Sequence, residues 1–361
     1  MRRVSKNDVG KIALGASMLA AGGGGNVEVG EVMLKRSIEQ YGDVKLVSLN
    51  ELNEDDLIIP MGMMGAPIAG IEKFGYEGEP SQVVRFLAEK LERDVSAVTA
   101  VEVGGSNSMI PMVAAVQLGV PMVDADSMGR AFPETQMTSF HLRGVPASPL
   151  ALIDERGNRC MIEATDTFWA EKISRTITSV MGARSMVATF AMDGRTARSA
   201  CIDGTITLSE KIGDLLMKSR GKEEVLADLL ELVKGGVLFR GKVTDVHRET
   251  VGGFNKGSVT LDGFDEYSSL GGKVFFQNEN LVFYADSRPV ATVPDIITVL
   301  NSETWVPITT EELKYGLRTI VVGLPCAPIW RTAEGLEVAG PRYFGYDVDY
   351  SPVEERARRP R

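Results

Sequence analysis

The chain has 361 residues, 44% hydrophobic and 24% charged, an ordinary globular balance with room for two domains. A net charge of -10 excludes the basic footprint of a general nucleic-acid binder. No apolar run reaches the length of a membrane span. Three scattered cysteines, Cys160, Cys201 and Cys326, point to a reducing compartment and no disulfide framework.

Arg2 and Arg3 ahead of the apolar run 12–21 loosely imitate a secretory signal. Ser5 and Asp8, however, have capping-box spacing, and Val9, Ile12, Ala16 and Leu19 recur at helical intervals. A cytoplasmic first helix is the expectation. Four glycines and Asn26 follow, then a second helix over 27–41. The glycines fit either an anion or carbonyl cradle at a helix start or a corner where two backbones pack closely. Strands are expected at 45–49, 56–61, 97–103 and 120–123, with helices at 81–91 and 109–118 between them.

This alternation favours a mainly parallel sheet covered on both faces. The loops after Met61, Val103 and Val123 would then meet at one crevice, lined by Glu102, Ser106, Asn107, Asp124, Asp126 and Arg130. Further strands are expected at 137–142, 150–154, 159–162 and 186–190, and helices at 166–180, 205–218 and 223–234. After Gly235, short β-branched segments between glycine turns suggest a compact β-barrel or sandwich. The last residues are charged and read as a solvated tail.

Residues 118–137 concentrate the polar chemistry. Asp124 and Asp126 lie two apart at a strand end, so persistent strand geometry would turn both carboxylates to one side. They could hold a divalent cation, with Asn107 or Glu134 completing the set, or act as general acid and base. Their bland alternative is a helix cap beside a salt bridge to Arg130. The segment Gln277-Asn278-Glu279-Asn280 reads as a hairpin turn or a ligand-facing loop, since asparagine tolerates the left-handed region. Pro294-Asp295 marks a bend in a strand-like run. Cys326 reads as a buried hydrophobe, His141 as a core or cleft-lining residue and His247 as a barrel-surface residue. Two histidines leave little for a zinc site.

Several segments together resemble the S-methyl-thiohydantoin desulfurase family: GGGGN (22–26), MGAPIAGIEK (64–73), EVGGSNS (102–108), VDADSMGRAFPETQM (123–137), GKVTDVHRETVGGFNKG (241–257), FQNENL (276–281), VPDIITV (293–299) and TTEELKYGLR (309–318). The resemblance covers nearly the whole chain, and the DADxxGRAFPE run is its most specific part. It implies an α/β protein with an N-terminal three-layer domain over 1–165 and a C-terminal domain over 166–350. The latter would have helices followed by a β-rich barrel-like part, ahead of a charged tail at 351–361. Asn26 stands where the family pattern is expected often to have Asp.

The implied reaction is water attack at C2 of a five-membered S-methylated ring, releasing methanethiol and leaving a hydantoin. Asp124, Asp126 and Glu134 are then the expected catalytic residues, directly or through a divalent metal at Asp124 and Asp126. Gly23, Gly24, Gly25, Asn26, Gly105, Asn107, Arg130, Asn278 and Asp295 are the expected substrate-binding residues. The alternative is a non-catalytic ligand-binding or regulatory subunit of a hydantoinase-like enzyme. The expected partner is a small heterocycle, with no nucleic acid or membrane. A homo-oligomer or a hydantoinase-type partner is a further expectation.

Overall fold

The computed structural model describes residues 1–66, 69, 73, 75–218, 221–252 and 254–356. Part of the 64–73 motif and the last five residues of the tail lie outside the described residues.

The first helix, Lys6–Leu19, starts as its sequence requires. The Ser5 backbone N–H and hydroxyl donate to the Asp8 carboxylate at 2.9 and 2.7 Å, and Asp8 N–H returns a bond to the Ser5 carbonyl. Its buried face meets the helix Thr205–Leu216 without intervening side chains. A Cβ on Gly15 would lie 1.7 Å from the Ser209 carbonyl oxygen, and one on Gly213 would lie 1.8 Å from that of Lys11. Only glycine permits backbones this close, and the contact binds residue 205 onward to the start of the chain.

Strands β1 (Arg2–Val4), β2 (Val44–Val47), β3 (Leu57–Gly65), β4 (Ala97–Ala100), β5 (Met122–Val123), β6 (Ala125–Asp126), β7 (Leu150–Ile153), β8 (Arg159–Ile162), β9 (Arg184–Ala188), β10 (Met192–Asp193) and β11 (Ile202–Asp203) build the first half. The main sheet runs β1-β2-β5-β4-β3-β9-β7-β8, with β10 also on β3. It is mixed. The central run β2-β5-β4-β3 is parallel, and the flanking pairs are antiparallel. Strand alternation divides its side chains between two layers. Ile59, Met61, Ala151, Ile153 and Met186 face one core with the helices Val27–Tyr41, Glu79–Leu91 and Ile110–Leu118. Ile58, Leu150, Leu152 and Val187 face the other, under Phe190, Ala170 and Ile177.

The second sheet holds β12 (Gly236–Val251), β13 (Phe254–Gly263), β14 (Gly271–Gln277), β15 (Glu279–Ala285), β16 (Arg288–Thr292), β17 (Ile296–Asn301) and β18 (Arg318–Leu324). All its pairs are antiparallel in the order β16-β15-β14-β13-β12-β18-β17. The sheet curls into a half-barrel that brings β15 and β16 near β17 across its interior. Phe239, Phe276 and Phe283 fill that interior, and their core is continuous with the one beneath the first sheet.

The two halves are more entangled than a boundary near residue 165 implies. β9 pairs with β3 and β7 inside the first sheet, although it lies beyond that point in the chain. The segment 137–142 is not a strand. Its Thr138 hydroxyl accepts the His141 N–H and opens the short helix Ser139–Leu142. His141 packs edge-on against Phe168, with ring centroids 5.5 Å apart. Among the described residues, no helix is long and apolar enough to cross a membrane.

The backbone contact at Gly15 gives a direct check. Gly15→Leu forces the two helices apart and should cost about 3 kcal/mol of stability, the range of core overpacking. Urea unfolding measures this, and an unchanged midpoint would contradict the close approach.

Candidate active site

The cleft opens where β3 and β4 end and the turn between β14 and β15 arrives from the half-barrel. Gly24, Gly25, Met63, Glu102, Asn107, Phe132, Glu134, Asn278 and Glu279 are among its lining residues. The ends of neighbouring parallel strands and a junction between two sheets are both common positions for a ligand site.

The glycine loop is what lets the two sides meet. Gly24 has φ +72°, and a Cβ there would lie 2.4 Å from the Gly104 carbonyl oxygen. Gly105, at φ +69°, would collide in turn with the Gly24 carbonyl. Ser106 N–H donates to that carbonyl at 3.0 Å. The loop also faces the half-barrel: Ala21 and Gly22 carbonyls accept the Asn280 and Thr310 N–H groups at 2.7 and 2.9 Å. A Cβ on Gly23 would lie 2.0 Å from Glu279 Oε1. The loop is therefore a backbone-on-backbone corner, and Gly24 and Gly25 line the cleft from it.

Two glutamates in the cleft are withdrawn from water. Glu102 follows β4, and its Oε1 accepts Asn107 Nδ2 at 2.5 Å while Oε2 accepts the Phe132 N–H at 3.3 Å. Asn107 is itself fixed, accepting Met63 N–H at 2.7 Å and donating to the Met63 carbonyl at 3.2 Å. Burial pushes the Glu102 carboxyl up to about 8 despite these donors. Glu279 opens β15 beside Asn278, whose φ of +58° makes the turn. Burial first, and then the charge of Glu102, hold Glu279 well above the usual carboxylate range. Its Oε2 is buried and has no hydrogen-bond partner.

Arg130 is fully buried and absent from the cleft lining. Its Nη1 donates to the carbonyls of Pro294 and Asp295 at 2.7 and 2.8 Å, and its Nε to that of Ala131 at 2.9 Å. The guanidinium also stacks 4.3 Å from the Phe132 ring centroid. Burial lowers it to about 10, against the opposing charges of Glu279, Cys326, Asp295 and Glu102. Two further cations, Arg175 and Arg184, line the cleft with their charges paired. Arg175 is bonded to Glu171, and Arg184 is bidentate to the buried Glu79 at 2.8 and 3.1 Å.

The expected site residues divide sharply. Gly24, Gly25, Asn107, Glu134 and Asn278 line the cleft. Glu134 accepts the Tyr343 hydroxyl at 2.8 Å and a bond from Gln136. Asn278 presents a face to the cleft while its Oδ1 accepts the Asn255 N–H at 2.9 Å. Gly23 and Gly105 serve backbone packing. Asn26 caps the helix Val27–Tyr41, accepting the N–H groups of Glu28 and Val29 at 2.8 and 3.3 Å. That is capping work an aspartate would also do, and it leaves Asn26 outside the cleft lining.

Asp124 and Asp126 do not share a face or reach the cleft lining. β5 ends at Val123, and the chain changes sheet at Asp124 before β6 pairs with β11, so strand alternation does not carry across. Asp124 accepts the Thr207 N–H at 3.0 Å and the Thr207 hydroxyl near the start of the helix Thr205–Leu216. Asp126 accepts the N–H groups of Val103, Met128 and Gly129 at 2.8, 3.0 and 2.9 Å, and burial still pushes it up to about 7. Each carboxylate accepts donors of a different segment, so the two are not arranged around one shared cation position. Among the described residues, no three His, Cys, Asp or Glu side chains gather as metal ligands. Arg130, expected to hold substrate, is instead spent on carbonyls below the cleft.

Asp295 also lies outside the cleft lining. Its carboxylate accepts the N–H groups of Cys326 and Val353, each at 2.8 Å, and bonds to Arg331 and the Tyr350 hydroxyl at 3.1 Å. It fastens the C-terminal segment to the half-barrel. The Cys326 thiol beside it is buried and pushed up to about 12, which makes it a poor nucleophile. The sequence places Glu102 at the crevice without giving it a role, and Glu279 only within a segment that reads as a hairpin turn or a ligand-facing loop. The visible signal for Glu279 was an acid in a turn flanked by asparagines.

Comparison with known proteins agrees with this architecture. The X-ray crystal structure of a protein from Chromobacterium violaceum, a structural-genomics target, superposes with a TM-score of 0.84 at 24% identity. The match covers 98% of this chain and 100% of the other. It shows a shared fold. No curated protein matches. Family models described as S-Me-THD-like, N-terminal domain, and S-Me-THD-like, C-terminal domain, match residues 7–164 and 165–353. On these matches, the chain belongs to the S-Me-THD-like family.

Proposed function

We propose that the protein is a hydrolase of S-methyl-thiohydantoin-like rings, and that Glu102 and Glu279 are its base and acid. The carrying observation is two buried carboxylates in one cleft, supplied by different sheets and differing in hydrogen bonding. Glu102 has two donors that favour its anion, whereas Glu279 Oε2 has none. Environments that separate the proton affinities of paired acids assign their roles. Glu102 loses its proton first and acts as base, and Glu279 keeps its proton and acts as acid.

In this reading Glu279 gives its proton to the ring nitrogen double-bonded to C2. Water attacks C2 and yields a proton to Glu102, forming the C2–O bond. Collapse then breaks the C2–S bond. The departing methanethiolate takes the proton from Glu102, and the new hydroxyl returns one to Glu279 as the carbonyl forms. The products are methanethiol and a hydantoin, and both glutamates regain their starting states. The apolar lining from Met63, Met64, Met128 and Phe132 suits a methylthio group.

The purified chain, incubated alone with S-methyl thiohydantoins and a thiol-trapping reagent, should release thiol. No release without a hydantoinase partner would favour a regulatory subunit. Glu102→Gln and Glu279→Gln should each lower kcat by about 10²–10⁴ with folding intact, the usual span for lost acid–base catalysis. Asp124→Asn should retain most activity and lose about 1 kcal/mol of stability, as a weakened cap does. The reverse pattern would return the chemistry to Asp124.

The pH profile checks the roles separately. A base must be ionised, so kcat/KM should rise with pH through about 8, following Glu102. It should fall at higher pH as Glu279 ionises. These are apparent values of the coupled pair. A profile already flat from pH 5 to 7 would contradict Glu102 as the base.

A further inference from the structure

Resting on that reading, we infer that Arg175 is a substrate-binding donor of the cleft, and that it takes the C4 carbonyl oxygen of a ring bearing no carboxylate. Arg175 lines the cleft, and its guanidinium is held from three sides. Its Nε donates to Glu171 within the helix Thr167–Val180. Its Nη2 donates to the Pro133 carbonyl at 2.7 Å, and its face stacks 4.3 Å from the centroid of the Phe254 ring, which comes from the half-barrel. Nη1 is the nitrogen left over. It bonds to no described residue, and it is not sealed from solvent. A guanidinium fixed in this way offers its free edge with little further loss of side-chain freedom.

The anchors of Arg175 also join it by contact to the segments that carry both glutamates. Pro133 follows Phe132, whose N–H bonds to Glu102 Oε2 at 3.3 Å. Phe254 precedes Asn255, whose N–H bonds to Asn278 Oδ1 at 2.9 Å, and Asn278 directly precedes Glu279. The charge of Arg175, however, is already answered. Glu171 is buried, and its second oxygen accepts the Thr135 N–H and hydroxyl at 3.1 and 2.6 Å, which keeps the carboxylate in place. Among the described residues, the other cation of the lining is Arg184, bidentate to the buried Glu79 at 2.8 and 3.1 Å. The lining adds the carboxyls of Glu102, Glu134 and Glu279. A carboxylate on the ring would lose its water and meet no unpaired cation, whereas a carbonyl needs only a donor.

Titration calorimetry with hydantoins, the products of the proposed reaction, tests this without turnover. Near neutral pH the wild-type protein should bind 5-isopropylhydantoin about tenfold or more tightly than hydantoin-5-acetic acid, whose carboxylate finds no free cation. Arg175→Met should weaken the isopropyl ligand about tenfold or more, the scale of one hydrogen bond to a charged group. With the matching S-methyl thiohydantoin it should raise KM and leave kcat little changed, as lost uniform binding does. Glu171→Gln keeps an acceptor for Arg175 and removes the compensating charge. It should narrow the preference against the carboxylate by about tenfold, a change that a purely structural Arg175 would not produce.

Equal binding of the two hydantoins, or tighter binding of the acid, overturns the inference. Unchanged binding in a folded Arg175→Met does so as well. If the hydantoins bind with the expected preference but no thiol is ever released, the hydrolase reading fails and the role of Arg175 in holding the ring stands. If thiol is released equally well from neutral and carboxylate-bearing rings, the hydrolase reading stands and this inference fails. Should Arg175→Met fail to fold, Arg175→Lys and Glu171→Gln carry the test. Lysine keeps the charge without the planar fork and should weaken the neutral ring as the methionine would, and an unmoved preference in Glu171→Gln overturns the inference.

Discussion

Everything in the site depends on two carboxyl groups being kept dry beside one buried guanidinium. Burial penalises the charged form of each glutamate, and the neighbouring acid adds to that penalty. Such a cluster is costly as packing alone. It is tolerable because Asn107 and the Phe132 N–H serve Glu102 and because Arg130 offsets part of the repulsion. The same burial pushes the Glu102 carboxyl up to about 8 and holds Glu279 well above the usual carboxylate range.

The dryness is produced by backbone geometry rather than by large side chains. Gly24 and Gly105 let two loops touch, and Gly23 leaves room for the Glu279 carboxylate. Carbonyls of the same loop bond to residues of the half-barrel. One short run of glycines thus seals the first sheet against the second and shapes one wall of the cleft. Gly15 and Gly213 perform a similar service further out, holding the helix Thr205–Leu216, whose Thr207 N–H bonds to Asp124, against the first helix. The acids come from opposite sides of this seam, so their separation is set by how closely these backbones approach.

Periodicity made much of the fold legible. The strand–helix alternation around Ile59, Val98 and Met122 follows from apolar runs and glycine ends, and the half-barrel follows from β-branched segments between turns. The strand expected at 186–190 is found at Arg184–Ala188, but its place in the first sheet was not readable, because pairing with partners 33 to 127 residues away leaves no local trace. The site was legible as a place more than as an assignment. Strand-end loops do converge, and Asn107, Glu134 and the glycine loop were visible there. Glu279 was hard to see because its role depends on Gly23 being next to it, more than 250 residues away in the chain.

The Asp-Ala-Asp run stands apart from the cleft lining. Asp126 is fully buried, and three backbone N–H groups converge on it and close the turn at Met128 and Gly129. A carboxylate so occupied organises a loop and has little lone-pair capacity left for a water. Glu102 is bonded on both oxygens as well, but one of its donors is a side chain inside the cleft, and its carboxyl borders open space. Glu279 has an oxygen with no partner at all. Free acceptor capacity at a cleft wall distinguishes Glu279 from the aspartates of the Asp-Ala-Asp run. The turn that Asp126 closes at Met128 and Gly129 carries Arg130 directly after it, and so fixes where Arg130 meets the carbonyls of Pro294 and Asp295.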